Sequence, residues 1–409
     1  MKFGSLSKLF AYLILLLIVF LTERAYNKKL FNYSLEIIPK LMRYTPTFLQ
    51  YYFSVVSFIC SKYILLPLIV FIYSFCSLKT SFISSNLLLA SFHIVNILKM
   101  VYADPRPFMV TDSFIPKHCY GDFGNPSGET VYAFSFYQYM FLLFYREYIR
   151  GKQLFYRILF LIGIIILLFS IPISRMIDGI HSLNQIVYGC LIGLIIFFLF
   201  YLFIDSNDDS EDLRLFSNFK KGKWFPYFLI ILCIGCIFNS CIEFSFYSLI
   251  KVPFENRLRQ ICPDLKNYSI FYNKCFGLSL SIAGNLGIII GLIVTMETLD
   301  LREENITENQ YHLFNNWNKT SLKCGIIRFI ISISIAVLCA LPTSMSKNRL
   351  NTLDYVILNY GVVSFVICFI FYGIMIKMFW KMGLTNEELS KNTKEIELEK
   401  DEKEKLVCG

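Results

Sequence analysis

The stretch LFYRILFLIGIIILLFSIPIS, residues 154–174, decides the fold class of this chain. Roughly 20 consecutive apolar residues are enough to span the hydrocarbon core of a bilayer, and this run carries a single charged residue, Arg157. Its apolar residues are continuous, whereas a transmembrane β-strand would alternate apolar and polar positions. The stretch therefore predicts a membrane-spanning helix.

The composition extends this interpretation to the whole chain of 409 residues. Hydrophobic residues make up 56%, aromatic residues 17% and charged residues 17%, with a mean hydropathy of +0.54. A soluble globular chain carries about 25% charged residues. These values exclude a soluble enzyme, a disordered chain and a secreted disulfide scaffold, and they predict a polytopic membrane protein.

Runs of similar character predict about ten transmembrane helices in an all-α helical bundle. They lie at 8–24, 51–76, 83–102, 130–146, 154–174, 183–204, 225–247, 277–298, 324–345 and 354–380. The first run follows a basic start, and no small-residue cleavage site comes after it. It therefore predicts an uncleaved signal anchor, with a cleaved signal sequence as the alternative.

Four regions follow from these runs: an anchor and luminal linker (1–50), a core with polar motif loops (51–204), C-terminal transmembrane helices (205–380) and a charged, flexible cytoplasmic tail (381–409). The formal charge is +9, and the Lys and Arg residues gather in short loops between apolar runs. This distribution is typical of membrane proteins and not of a nucleic-acid-binding groove. With residue 1 in the cytoplasm, the loops 103–129, 175–182 and 248–276 share the luminal side. Cys262 and Cys275 bracket a polar stretch of the last of these loops. The sequence is compatible both with a disulfide between them and with two free thiols.

Three polar clusters stand at helix ends on that one predicted side. They read KMVYADPRP (99–107), NPSGET (125–130) and SRMIDGIHSLNQ (174–185). Lys99, Arg106 and Arg175 supply cations, and the helix that begins after Ser127 offers free backbone N–H groups to an anion. His181 adds an imidazole that can attack phosphorus. The clusters together predict a phosphate cradle with a nucleophile beside it.

These clusters resemble the type 2 phosphatidic acid phosphatase superfamily, and within it the glucose-6-phosphatase-like branch. The family pattern runs K-x6-RP, then PSGH, then SR-x5-H-x3-D. Here six residues separate Lys99 from Arg106, and five separate Arg175 from His181. Members of that branch have nine spans, and this chain looks like those nine preceded by one anchor. Residues 51–204 would then form the phosphatase-like core.

The resemblance implies a role for each motif residue. His181 would be the nucleophile that forms a phosphohistidine, and Gln185, at the position of the family aspartate, would orient its imidazole. Glu129 stands where the family has its second histidine, the general acid, and an unperturbed Glu is almost wholly ionised at neutral pH. The residues implied to bind phosphate are Lys99, Arg106, Ser127, Gly128 and Arg175.

The implied function is a membrane-embedded phosphatase acting on a lipid phosphate or a sugar phosphate at the luminal face. The alternative is a catalytically impaired relative that binds anionic lipid or serves as a structural subunit of a membrane complex. A transporter is disfavoured, because the charged motifs lie at helix ends and not at mid-span. The superfamily's phosphatases need no metal, so we expect neither a metal nor a cofactor.

The resemblance also bears on partners and location. We expect a phosphorylated substrate and membrane lipids as partners, with other membrane proteins under the alternative function, and no nucleic acid. The endoplasmic reticulum is the membrane favoured by resemblance, while other organelle membranes, including mitochondrial ones, stay open.

Overall fold

A computed structural model of the chain describes residues 3–203, 225–263, 271–298, 320–346 and 352–385. All regular elements in these ranges are helical. The chain divides into two compact units. Among the described residues, the first unit comprises 3–65, 90–203, 239–263 and 271–279, and the second comprises 66–89, 225–238, 280–298, 320–346 and 352–385. The predicted tail from residue 386 onward lies outside the described residues.

The helices are numbered here in chain order. They are α1 (Phe3–Tyr44), α2 (Thr47–Ile59), α3 (Lys62–Phe75), α4 (Leu78–Tyr102), α5 (Gly128–Tyr132 continuing through Ala133–Tyr137 and Gln138–Phe144 to Tyr145–Ile149), α6 (Leu154–Ile177), α7 (Leu183–Phe203), α8 (Phe225–Tyr247), α9 (Glu255–Ile261), α10 (Phe271–Ser279), α11 (Ala283–Thr298), α12 (Leu322–Ser346) and α13 (Thr352–Val356 continuing to Ile376–Lys381). The second and fourth segments of α5 are π-helical.

Seven helical spans among the described residues are long and apolar enough to cross a membrane, or eight if the bent pair Thr47–Ile59 and Tyr63–Phe75 forms one span. The predicted all-α membrane fold is confirmed, although the count is lower than the predicted ten. Helix α5 falls short because tyrosine, serine and glutamine interrupt its apolar sequence. Eight of the 17 side chains in the predicted first span, 8–24, lie outside those described.

Small residues bring α7 against α5 in the first unit. A Cβ atom on Gly189 would lie 3.0 Å from the carbonyl oxygen of Ser127, and one on Gly193 would lie 2.8 Å from that of Val131. Two glycines four residues apart on one helix allow such close backbone approach. This packing fixes the beginning of α5 beside the beginning of α7, where two of the three polar motifs lie.

The second unit is held by a different set of contacts. Gly291 on α11 is so close to α13 that a Cβ atom would lie 2.8 Å from the backbone nitrogen of Gly373. The buried Tyr372 hydroxyl lies 2.6 Å from Ser81 Oγ and 3.0 Å from Ser85 Oγ. These buried hydroxyls therefore satisfy one another inside the unit.

Candidate active site

The turn after α6 brings Arg175 and His181 together. Gly179 has φ +72°, a left-handed conformation that favours glycine, and it directly follows the helix end. The backbone N–H groups of Ile180 and His181 then both donate to the carbonyl oxygen of Arg175, at 3.1 and 3.3 Å. The five residues between Arg175 and His181 therefore form the end of α6 and the capping turn that follows it.

The His181 imidazole is fully buried and held in one tautomer. Its Nδ1 lies 3.1 Å from Gln185 Oε1, and its Nε2 lies 2.9 Å from an Arg106 nitrogen. An amide oxygen only accepts and a guanidinium only donates, so Nδ1 carries the proton and Nε2 keeps its lone pair. Burial, reinforced by Arg106, lowers the pKa of His181 to about 3. The ring is therefore neutral at pH 7.

Gln185 connects all three polar motifs. Its Nε2 donates to the carbonyl oxygen of Pro105 at 2.8 Å, which turns Oε1 toward His181. Its backbone oxygen accepts a hydrogen bond of 3.0 Å from the N–H of Ser127. The side chain expected to orient the imidazole thus also fixes the first and second motifs relative to the third.

Lys99 and Arg106 share one carboxylate partner, Asp122. Lys99 Nζ lies 2.5 Å from one Asp122 oxygen, and an Arg106 nitrogen lies 2.8 Å from the other. Burial alone would raise the pKa of the Asp122 carboxyl, but the surrounding cations outweigh burial, so its pKa lies well below the usual range. Asp122 is therefore an anion that holds both cations in place.

Glu129 lies between Arg175 and His181. One of its oxygens accepts from Arg175 at 3.1 Å, and the other lies 3.7 Å from His181 Nε2. Burial by itself would raise the Glu129 pKa, but Arg175 and its other cationic neighbours hold the pKa well below its usual range. A second Arg175 nitrogen donates to Ser57 at 2.5 Å, while Arg175 Nε has no hydrogen-bond partner among the described residues. That N–H is a spare donor.

Ser127 and Gly128 lie at the beginning of α5, next to Glu129. The Ser127 hydroxyl oxygen accepts a hydrogen bond of 2.9 Å from Thr130. Gly128 is closely packed, with the Tyr132 hydroxyl 3.3 Å from where its Cβ atom would be. All eight predicted residues therefore lie in one region. Asp122 binds Lys99 and Arg106, and Glu129 lies between Arg175 and His181.

Two further side chains, which the motifs do not predict, lie in the site. The ring of Tyr120 lies within 6 Å of the guanidinium carbons of Arg106 and Arg175 and of Lys274 Nζ. Lys274, on α10, also lies 3.7 Å from Asp122. No local pattern marks either residue, since Lys274 follows an apolar-aromatic segment and resembles an interfacial anchor.

Cys262 forms a disulfide with Cys119, not with Cys275. The prediction that left a Cys262–Cys275 pair open is corrected on this point, because Cys275 is a free, buried thiol. The two bonded cysteines are 143 residues apart, so only the fold brings them together. The bond joins the loop after the first motif to the residue following α9.

Helix α1 contacts the loops of all three motifs. Asn27 Nδ2 donates to Asp104 at 3.1 Å, and Asn125 Nδ2 donates to Glu23 at 2.9 Å. The backbone N–H of Leu183 donates to the Ser34 hydroxyl at 2.8 Å. The sequence gives no hint of this, since Glu23 resembles an ordinary flanking charge after an apolar run. Whether α1 is also a signal anchor stays a prediction.

No group of three or more His, Cys, Asp or Glu side chains suited to a metal ion occurs in the described ranges. His118, beside Cys119, is exposed and belongs to no such group. The expectation that the site works without metal or cofactor stays a prediction.

Residues 75–209 match the family model of the PAP2 superfamily. No curated protein and no solved structure matches the chain. The matched segment holds all the predicted site residues and indicates a phosphatase-type function for this membrane protein. It leaves α1, α2 and Lys274 outside, and the assignment to the glucose-6-phosphatase-like branch stays a prediction.

Proposed function

We propose that this protein is a membrane-embedded phosphatase that hydrolyses a phosphate monoester through a phosphohistidine at His181. The single observation that carries the proposal is the environment of the imidazole. Gln185 holds Nδ1, leaving the Nε2 lone pair among Arg106, Arg175 and Glu129. A neutral imidazole with a fixed tautomer beside convergent cations is suited to attack phosphorus.

In the first step, His181 Nε2 attacks phosphorus, and the P–N bond forms as the bond to the alcohol oxygen breaks. Before the attack, Arg106 transfers its hydrogen bond from Nε2 to a phosphate oxygen, which frees the Nε2 lone pair, and Arg175 adds its spare Nε–H donor. Cations aimed at the equatorial oxygens stabilise the developing charge. Protonated Glu129 gives its proton to the leaving alcohol oxygen.

In the second step, water attacks the phosphohistidine and the P–N bond breaks. The Glu129 carboxylate takes the proton from water, so inorganic phosphate leaves and both side chains return to their starting state. The proton that Glu129 needs for the first step is taken up from bulk water as substrate binds. A phosphate dianion draws Arg175 away from Glu129 and adds negative charge beside it, and both changes raise the carboxyl pKa.

The charges of the site fit a dianionic ester. Four cations and two carboxylates leave an excess of two positive charges in a largely buried region; the groups are Lys99, Arg106, Arg175, Lys274, Asp122 and Glu129. A buried excess of charge is costly unless a ligand compensates it. A phosphate monoester dianion supplies two negative charges.

The disulfide supports a luminal or other extracytoplasmic location for the site. Disulfides persist in oxidising compartments and are rare in the cytosol. Cys119 and Cys262 belong to two loops that the alternation of the predicted spans, with residue 1 in the cytoplasm, puts on the same, non-cytoplasmic side. The proposed home remains the endoplasmic reticulum by resemblance, with a lipid phosphate or a sugar phosphate as substrate.

The test is phosphate release by the purified full-length protein in lipid nanodiscs. Phosphatidate, lysophosphatidate and hexose phosphates are assayed side by side, so that the two substrate classes are separated. His181→Ala should abolish release with every substrate, while His118→Ala, a change at an exposed histidine, should leave it intact. Unchanged turnover in His181→Ala would sink the assignment.

One observation favours the second candidate, a catalytically impaired relative. The Glu129 carboxylate, paired with Arg175, already fills the space beside His181 Nε2 that a phosphoryl group needs. This candidate predicts negligible release by the natural protein and a gain of turnover in Glu129→His. Strong release by the natural protein without a gain in Glu129→His rules it out.

A further inference from the structure

The segment 117–124, which we call the cap, lies against the cations of the site. The Tyr120 ring centroid is 4.8 Å from the guanidinium carbon of Arg106 and 5.3 Å from that of Arg175. Lys274 Nζ is 5.7 Å from the same centroid. A cation within about 6 Å of a ring face is attracted by it. One ring thus contacts three of the four cations that the proposed function uses.

The cap is attached to the rest of the first unit on both sides of Tyr120. The backbone N–H of Lys117 donates to the carbonyl oxygen of Asp178 at 3.0 Å, and that of Gly124 donates to Asp104 at 2.9 Å. Between them, the Cys119–Cys262 disulfide joins the residue before Tyr120 to the end of α9. The disulfide is the attachment nearest to the ring, and it is covalent.

The site residues under the cap have almost no exposed surface. His181 is 0% exposed, and Arg106 and Arg175 are each 1% exposed. By contrast, Tyr120 is half-buried, and the side chain of Lys274 is 29% exposed. Tyr120 and Lys274 are therefore the accessible members of a cluster whose two arginines are buried.

We propose that Tyr120 is a phosphate-site residue, and that the Cys119–Cys262 disulfide keeps it over the cations so that substrate affinity depends on the redox state of this bond. The inference rests on the proposed function and adds a form of regulation to it. A dithiol reductant breaks the S–S bond, giving two thiols on the protein while the reductant itself becomes a disulfide. Residue 119 is then released from α9, and the ring loses its fixed place.

The kinetic test measures KM and kcat for phosphate release before and after treatment with dithiothreitol, with thiol labelling to verify reduction. Reduction should raise KM roughly 2- to 30-fold, the range that a lost cation–π contact represents, and change kcat less. The double variant Cys119→Ser/Cys262→Ser should show the raised KM without reductant and no further response. Cys241→Ser, at an exposed free thiol, is the matched control and should behave like the natural protein.

Substitutions at Tyr120 separate the ring from the disulfide. Tyr120→Leu should raise KM in the oxidised protein by a similar factor, whereas Tyr120→Phe keeps the ring face, loses only the hydroxyl that interacts with Arg175, and should raise KM less. The inference is overturned if the reduced protein keeps its KM after labelling shows both thiols free. It is equally overturned if Tyr120→Leu leaves KM unchanged.

Binding of inorganic phosphate tests the cap without any turnover. In His181→Ala, which forms no phosphoenzyme, phosphate should bind more weakly after reduction and in the added Tyr120→Leu background, as measured by thermal shift. Equal phosphate affinity in both redox states overturns the inference about the cap, whatever the rate of turnover. If the natural protein releases no phosphate but its phosphate affinity still responds to reduction, the proposed function fails and the inference about the cap holds. Absence of phosphate binding in both states overturns both.

Discussion

Buried arginines occur in both compact units, and they differ in what they bond. In the first unit, Arg106 and Arg175 donate to the side chains of Asp122, His181 and Glu129, and Arg106 also donates to two backbone carbonyl oxygens. In the second unit, Arg328 is 1% exposed and donates to the backbone carbonyl oxygens of Ser74 and Leu384 and to the Thr320 hydroxyl, with no carboxylate or imidazole among these acceptors.

The difference separates a binding site from a structural cation. A backbone carbonyl at a helix end cannot be replaced by a ligand without loosening the fold, whereas a carboxylate or an imidazole can exchange its partner for a phosphate oxygen. Burial of a guanidinium alone therefore does not identify a site. An exchangeable side-chain partner does.

The largest effect in this comparison is expected for Arg106→Lys. Lysine keeps the charge but loses the planar fork that contacts both Asp122 and His181, so we expect phosphate release to fall roughly 10²- to 10³-fold. Release is expressed per folded molecule, because Arg106 also donates to the backbone carbonyl oxygens of Asp122 and Ile180 and its replacement lowers stability as well. An activity within twofold of the natural protein would remove Arg106 from the proposed chemistry.

Glu129→Gln should lower kcat about 10²-fold for esters with a poor leaving group, because the amide cannot donate the proton. The effect should shrink with p-nitrophenyl phosphate, whose leaving group needs little protonation. Because the Glu129 pKa lies below its usual range, this carboxyl is ionised in the free site at neutral pH, so release should increase as pH falls from 8 to 5. His181, with a pKa of about 3, stays neutral across that window.

The increase at low pH should disappear in Glu129→Gln, which has no titrating carboxyl at this position. Parallel pH profiles for the two proteins would contradict the assignment of Glu129 as the acid.

Arg328→Lys should differ from Arg106→Lys in lowering stability alone. Loss of the guanidinium leaves buried carbonyl oxygens without donors, and we expect a loss of about 1–3 kcal/mol in the free energy of unfolding. Phosphate release per folded molecule should stay unchanged. A selective loss of activity without destabilisation would erase the distinction between the two kinds of arginine.

Gly124→Ala should lower activity roughly tenfold. The new Cβ atom would lie 2.8 Å from Gln185 Cδ, so the side chain that orients the imidazole has to move. Gly151→Ala is the control, because nothing lies within 4 Å of that position. If both variants release phosphate at the natural rate, Gln185 does not position His181.

Asn27→Ala should have the smallest effect, about threefold on kcat, since α1 supports the motif loops without touching the reacting groups. Asn32→Ala, at an exposed position of the same helix, provides the comparison. Equal rates in the two variants would show that the α1 contacts do not matter for turnover.

The sequence predicts the parts of this molecule that depend on local pattern. Long apolar runs predict the helices, and the spacing of Arg175 and His181 reflects a single helix cap. Lys99, Arg106 and His181 were expected to converge because their motifs all stand at helix ends on one side.

The remaining parts depend on how distant helices pack, and no local pattern encodes that. Cys119 pairs with a cysteine 143 residues away, Lys274 arrives from α10, and Asn27 reaches the first motif from a helix with the composition of a simple anchor. A polar residue at the end of an apolar run is usually an interfacial anchor, so its position gives no reason to assign it to a site.

Trapping of the phosphoenzyme tests the central claim most directly. The purified protein is mixed with a ³²P-labelled phosphate monoester, quenched in alkali and digested for peptide mapping. The account predicts an alkali-stable, acid-labile label on His181, approaching one phosphate per chain at most and absent from His181→Ala. Turnover without any label on a histidine, or with the label on another residue, would contradict it.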